Sequence, residues 1–178
     1  MSSTETTMRL LDATQMYFQG EKIEALVFIL PVGLLSVVFG AWLVTDGAGS
    51  GFARGVAIPF LVLGLLMSTV GAVVGLRTPA QLAEVHVTLQ ATPDIALAAE
   101  RERMIKVNRA WNVYLAAWAI FGVVGLTLRF ATRGDFTQGL GIALVFFAGV
   151  GLLIDGFAER RTHPYTAALA SAQLNASP

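Results

Sequence analysis

The sequence contains no cysteine, which excludes disulfides, thiolate metal sites and a cysteine nucleophile and leaves the redox compartment open. Charge is scarce: 13% of the 178 residues are Asp, Glu, Lys or Arg, against about 25% in soluble domains. Twelve basic residues meet twelve acidic ones, so no global basic field exists to attract nucleic acid. The start MSSTETTMRLLDATQ lacks the basic head and short apolar core of a cleavable signal peptide, and the first apolar run is expected to stay in the mature protein. Also missing are GxSxG, HExxH, a phosphate loop and paired intramembrane carboxylates. The two histidines, His86 and His163, belong to no local ligand spacing and read as surface residues rather than a metal site. No catalytic, cofactor or metal residue is assigned, and the chain is read as non-enzymatic.

What is abundant is apolar sequence, at 55% of residues. Four stretches, Ile23–Thr45, Ala53–Leu76, Ala110–Arg129 and Gln138–Phe157, each reach the roughly 20 apolar residues that a helix needs to cross a hydrocarbon core. The segments DGAGSGF and FATRGDFT between them are short and rich in turn residues, as helical hairpins require. The expected fold is therefore an all-α integral membrane protein, a four-helix bundle made of two tandem hairpins. Its parts are residues 1–22, an amphipathic interfacial segment; 23–76, the first hairpin; 77–109, a helical connection; 110–157, the second hairpin; and 158–178, a tail. One side holds Arg9, Lys22, Arg77, Arg101, Arg103, Lys106, Arg109, Arg160 and Arg161, the other only Arg54, Arg129 and Arg133. The positive-inside rule then places both termini and the middle connection in the cytoplasm of a bacterial inner membrane.

Within the first segment, Leu10, Leu11, Ala13, Thr14, Tyr17 and Phe18 share one side of a helical wheel, which suggests a helix lying on the cytoplasmic leaflet and ended by Gly20. The run YFQG ends like a protease-cleavage tag, but the preceding Thr14-Gln15-Met16 does not fit one, and the native reading is preferred. In the connection, Thr78-Pro79-Ala80-Gln81 has the cap, proline and Gln of a helix start. Thr92-Pro93-Asp94 gives a second start, with no breaker before the third span.

Sliding the chain by the 84 residues that separate Lys22 from Lys106 also aligns Phe52 with Phe136, Gly55 with Gly139, Arg77 with Arg161 and Thr78 with Thr162. One inserted residue later, Pro79 aligns with Pro164 and Pro93 with Pro178. Turns, charged exits and tails fall in register together, which suggests an internal duplication with the two copies in the same orientation.

Ionisable groups within spans are candidate sites by default, which singles out Asp155 and Glu24. Both are also readable as interfacial carboxylates, with Arg77, Arg160 or Lys106 as partners for Asp155. Small residues let helices approach in lipid, and Gly71 and Gly75 are the candidate face for intramolecular packing, a homo-oligomer or a membrane partner. Arg101, Arg103, Lys106 and Arg109 are candidate cytoplasmic docking or headgroup contacts. The functional expectation is a membrane protein that acts by protein–protein interaction, as an assembly, regulatory or immunity-type subunit; the alternative is a small transporter or channel. The partners expected are the bilayer and a protein partner, a second copy of the chain, or both, with no nucleic acid.

Overall fold

In the computed structural model, residues 3–47 and 49–176 are described, with side chains from 8 to 173 within those ranges. Helix α1 (Ser3–Glu24) passes through a widened turn at Ala25–Ile29 into α2 (Leu30–Asp46); α3 is Gly51–Ala91, α4 Pro93–Ala131 and α5 Asp135–Ala176. The path is up, down, up, down. All four expected spans are present as helices long and apolar enough to cross a membrane. Each, however, runs for 39 residues or more, about 60 Å at 1.5 Å per residue. That is about twice the thickness of a hydrocarbon core.

The extra length corrects three local expectations. Thr78-Pro79 does not start a helix, because α3 runs straight through it. The Thr78 hydroxyl donates to the Val74 carbonyl at 2.6 Å and is buried, so it serves the turn before it rather than capping the turn after it. Gly20 does not end α1. Nor does the face of Leu10, Thr14, Tyr17 and Phe18 lie on lipid: it is buried against the chain's own helices. The wheel identified the right face and the wrong occupant. Thr92-Pro93 does open α4, with Pro93 in the first turn, where its missing N–H would have no partner anyway.

Two halves result. In the apolar half, α2 packs on α3, α3 on α5 and α5 on α4. The contacts are backbone-close. Gly33 of α2 faces Ser68 and Gly64 of α3, Gly40 faces Ala57 and Leu61, and Gly125 of α4 faces Gly141 and Val145 of α5. Between the hairpins, Gly55 lies on the Phe136 carbonyl and Gly139 on the Phe52 carbonyl. Large apolar side chains point outward all along this half, Leu35, Leu76 and Phe130 among them, each more than two-thirds exposed. Folded soluble monomers rarely present so much contiguous apolar surface. The turns at its far end follow the sequence reading. Gly49 takes φ +111°, a conformation natural to glycine, and Ser50 accepts the Ala53 N–H to cap α3.

The other half is a head formed by α1, α4 and the ends of α3 and α5. Its core is Leu10, Tyr17, Phe18, Leu89, Met104, Tyr165 and Leu169. Between the halves the first helix changes neighbours, from α3 and α5 in the head to α3 alone below. The widened turn makes that change: the Leu30 N–H reaches back five residues to the Ala25 carbonyl, just ahead of Pro31. Proline clashes with the carbonyl four residues earlier, here Val27 in the widened turn. A π-turn with that spacing opens the room.

Candidate functional site

Among the described residues, the two buried carboxylates, Glu24 and Glu100, lie at two levels. The first is the waist, beside the widened turn. Glu24, at the top of the first apolar run, is 9% exposed and accepts a hydrogen bond from Arg161 of α5 in a close ion pair. The stem of Arg161 crosses α1 at Gly20, where a Cβ would collide with it. Gly20 is therefore a slot for an arginine rather than a helix stop. One turn away, Glu21 meets Arg77 of α3 at 3.6 Å. Asp155 is an electrostatic neighbour of Glu24, but its hydrogen bond comes from elsewhere: the Trp118 indole of α4 donates to it at 2.6 Å. The expected arginine or lysine partner of Asp155 is replaced by an aromatic N–H. Gly151, one turn before Asp155, leaves room for that indole ring.

The Gly71 and Gly75 face lies at this level too. It is filled from within: a Cβ at Gly71 would lie 2.6 Å from the Leu30 nitrogen, and one at Gly75 would strike the Leu26 side chain. Its occupant is the widened turn of the same chain, which removes it as a free face for a partner.

The second level is the head. Glu100 of α4 is 7% exposed and is held from two sides. Arg103 donates through Nε at 2.9 Å and Nη2 at 2.5 Å, and the Tyr165 hydroxyl of α5 donates at 2.8 Å. Tyr17 stacks on Tyr165 with centroids 4.7 Å apart, and the Arg103 guanidinium sits 5.3 Å from the centre of the Phe18 ring. Burial pushes the Tyr165 hydroxyl well above its ordinary range, and the Glu100 charge adds to the effect. For Arg103 burial works the other way, but the Glu100 carboxylate outweighs it and holds the guanidinium charged. The network is a closed one: a buried carboxylate with its charge and lone pairs met.

These contacts divide the four basic residues expected to form one patch. Arg103 turns inward to Glu100 and is not a headgroup contact. Arg101 donates to Gln173 at 2.7 Å. Lys106 pairs with Glu102 at 2.8 Å on the solvated face, as the i, i+4 spacing predicts. Arg109 is exposed. Glu100, Tyr165, Arg161 and Trp118 are the site residues that the sequence did not single out. The first lies in the alternating-charge run Glu100-Arg101-Glu102-Arg103, a pattern usual on a solvated face, and the others had no motif around them.

In comparisons with known proteins, no family model, no curated protein and no solved structure matches the chain.

Proposed function

We propose that the chain is a multi-pass protein of the bacterial inner membrane that works by holding another membrane protein, as an assembly, regulatory or immunity-type subunit, with both ends and the head in the cytoplasm. The observation that carries this reading is the exposure of α4. Only 6% of its most apolar stretch is buried inside the chain, against 33% for α3 and 28% for α5. Below the head, α4 rests on α5 and leaves its remaining surface for lipid or a partner. In lipid, helix association gains from close packing rather than from hydrophobic burial, and of the two helices that pack on one neighbour there, α2 on α3 and α4 on α5, α4 belongs to the less buried span, 6% against 17%.

A small transporter or channel is the weaker reading. Its two candidate carboxylates, Glu24 and Asp155, lie together at one rim and are engaged by Arg161 and Trp118. Transporter sites are typically found near the midplane, and the sequence from Ala25 to Thr45, Val56 to Leu76, Ala110 to Leu128 and Gln138 to Ile154 carries no Asp, Glu, His, Lys or Arg. The tandem duplication draws support from the reciprocal contact between hairpins: Phe52 and Gly55 meet Phe136 and Gly139, the residues that align with them.

The absence of cysteine makes the test direct. Single cysteines at Ile120 and Val123 on α4, and at Leu35 on α2 as a control, would be labelled with a benzophenone maleimide in the native membrane and irradiated. Adducts are expected from α4 and not from Leu35. An adduct at twice the chain's mass identifies a second copy, and any other mass a separate partner. Absence of α4 adducts, or equal yield from Leu35, would remove the basis of the reading.

A further inference from the structure

We propose that the outer face of α5, where it leaves the apolar half, binds one phospholipid with a zwitterionic amine headgroup. Two depressions adjoin there. The lower, of about 190 Å³, is lined by Leu152, Leu153, Gly156 and Phe157 and closed at its top by Arg160. A Cβ at Gly156 would meet nothing within 4 Å, so no neighbouring helix fills this hollow. The upper, of about 500 Å³, lies between α5 and α4 and is lined by Glu159, His163, Thr166, Asn108 and Trp111 among others. Gly156, Arg160, His163 and Ala167 follow one another at helical spacing of three to four, so the two depressions lie along a continuous strip of α5. The strip passes from wholly apolar to polar where the sequence GLLIDGFAERR leaves the membrane span.

The groups on that strip match an amine phospholipid in order. Acyl chain meets Leu152, Leu153 and Phe157. At the boundary the exposed Arg160, which makes no ion pair among the described residues, is placed for the phosphate; its neighbour Arg161 turns inward to Glu24 instead. Beside it Glu159 offers a carboxylate for the ammonium group. The Asn108 amide nitrogen donates to Thr166 at 3.2 Å, which leaves its carbonyl oxygen as a second acceptor. The Trp111 indole nitrogen is buried without an acceptor, and lies in the wall of the upper hollow. An arginine and a glutamate side by side suit a zwitterion. A glycerol headgroup would leave Glu159 facing a hydroxyl next to a net negative lipid, and a trimethylammonium cannot donate a hydrogen bond to it.

The test is native mass spectrometry of the full chain in detergent, offered an equimolar mixture of phosphatidylethanolamine, phosphatidylglycerol and phosphatidylcholine with identical acyl chains. One phosphatidylethanolamine adduct is expected, favoured about fivefold over phosphatidylglycerol, the scale of one exposed ion pair. Glu159→Gln should abolish that preference, and Arg160→Gln should lower retention of both lipids. Gly156→Leu, which enters open space and leaves the fold intact, should lower retention of all three. Circular dichroism and thermal midpoint verify that each variant is folded. Soluble glycerophosphoethanolamine should not compete at millimolar concentration. Equal retention of the lipids by the unaltered chain, a preference that survives Glu159→Gln, or full competition by the soluble headgroup would overturn the proposal.

Discussion

The two halves of this molecule are built by different rules along the same four helices. Below Glu24 the helices meet mainly glycine to backbone, with one ring cluster between α3 and α5 where Phe60 and Phe146 close on the buried Phe147, and most of their other large side chains point outward. Above it they meet through large rings, and the buried carboxylate of Glu100 sits at the centre with its arginine and tyrosine. A buried Leu gains nothing against a lipid tail, so close approach at small residues is what an apolar surrounding leaves to hold helices. In water the same helices gain by burying rings, at about 25 cal/mol per Å² of apolar surface. The change in packing along the helices falls at the level of Glu24, as a passage from an apolar surrounding to water would require.

The comparison breaks most readily at Gly55. A side chain there collides with the Phe136 carbonyl, and backbone cannot rotate away as a flexible side chain can. Gly55→Leu is expected to part the hairpins at a cost above the ~1–3 kcal/mol usual for overpacking. It would show as loss of the monodisperse peak on size exclusion or a collapse of the thermal midpoint. Gly149→Leu is the matching control on α5, where nothing lies within 4 Å of the added atom, and its midpoint should stay within the range of neutral surface changes, about 0.5 kcal/mol. Equal effects at the two glycines would mean that the apolar half is not held by close approach.

The head should fail by a different route. Glu100→Ala leaves Arg103 without its carboxylate and the Tyr165 hydroxyl without an acceptor. Breaking a buried pair by removing one member costs about 3–5 kcal/mol, and the Arg103 side chain, 32% exposed, recovers part of that from water. A loss of roughly 2–4 kcal/mol is expected, read as a lowered thermal midpoint. The double change Glu100→Leu with Arg103→Met should recover most of it, since an apolar replacement of an ion pair is often neutral. If the single change left the midpoint unmoved, the network would be ornament rather than a support of the head.

How much of this was legible in the sequence follows the same division. The four helices were readable because hydropathy integrates over about twenty residues, and the turns because Gly, Ser and Asp declare themselves locally. The amphipathic face of Leu10 to Phe18 was readable as a face, since periodicity reports that one side is sheltered. It does not report by what: lipid and a neighbouring helix produce the same pattern, and only the partners Tyr165 and Leu169, some 150 residues away, decide between them. Thr78-Pro79 misled for a related reason. A threonine before a proline is the signature of a helix start, but its hydroxyl is equally able to bond the carbonyl four residues back, and burial of Thr78 between packed helices selects that second use. Glu24 and Asp155 were identified from their cost in an apolar setting, whereas Arg161 and Trp118, their partners, required the fold.

The finest test of the head concerns one hydroxyl. Tyr165→Phe removes the donor to Glu100 at 2.8 Å and keeps the ring stacked on Tyr17, so near neutral pH the loss should be about 1 kcal/mol, the net worth of a typical hydrogen bond. Its pH dependence separates the bond from the packing. The native hydroxyl is held above the ordinary tyrosine value of 10.0 by burial and by the Glu100 charge, whereas in the unfolded chain it ionises near that value. The folded state therefore binds the proton more tightly. The resulting stabilisation is fully present below pH ~10 and declines as pH rises above it, where the unfolded chain loses its proton first. Tyr17 is shifted in the same direction, chiefly by burial, and contributes a parallel decline. Thermal midpoints measured from pH 7 to 11 should thus fall more steeply for the unaltered chain than for Tyr165→Phe, and the two curves should converge at the alkaline end. Parallel curves would place the tyrosine's contribution in the ring alone and would leave Glu100 supported by Arg103 without it.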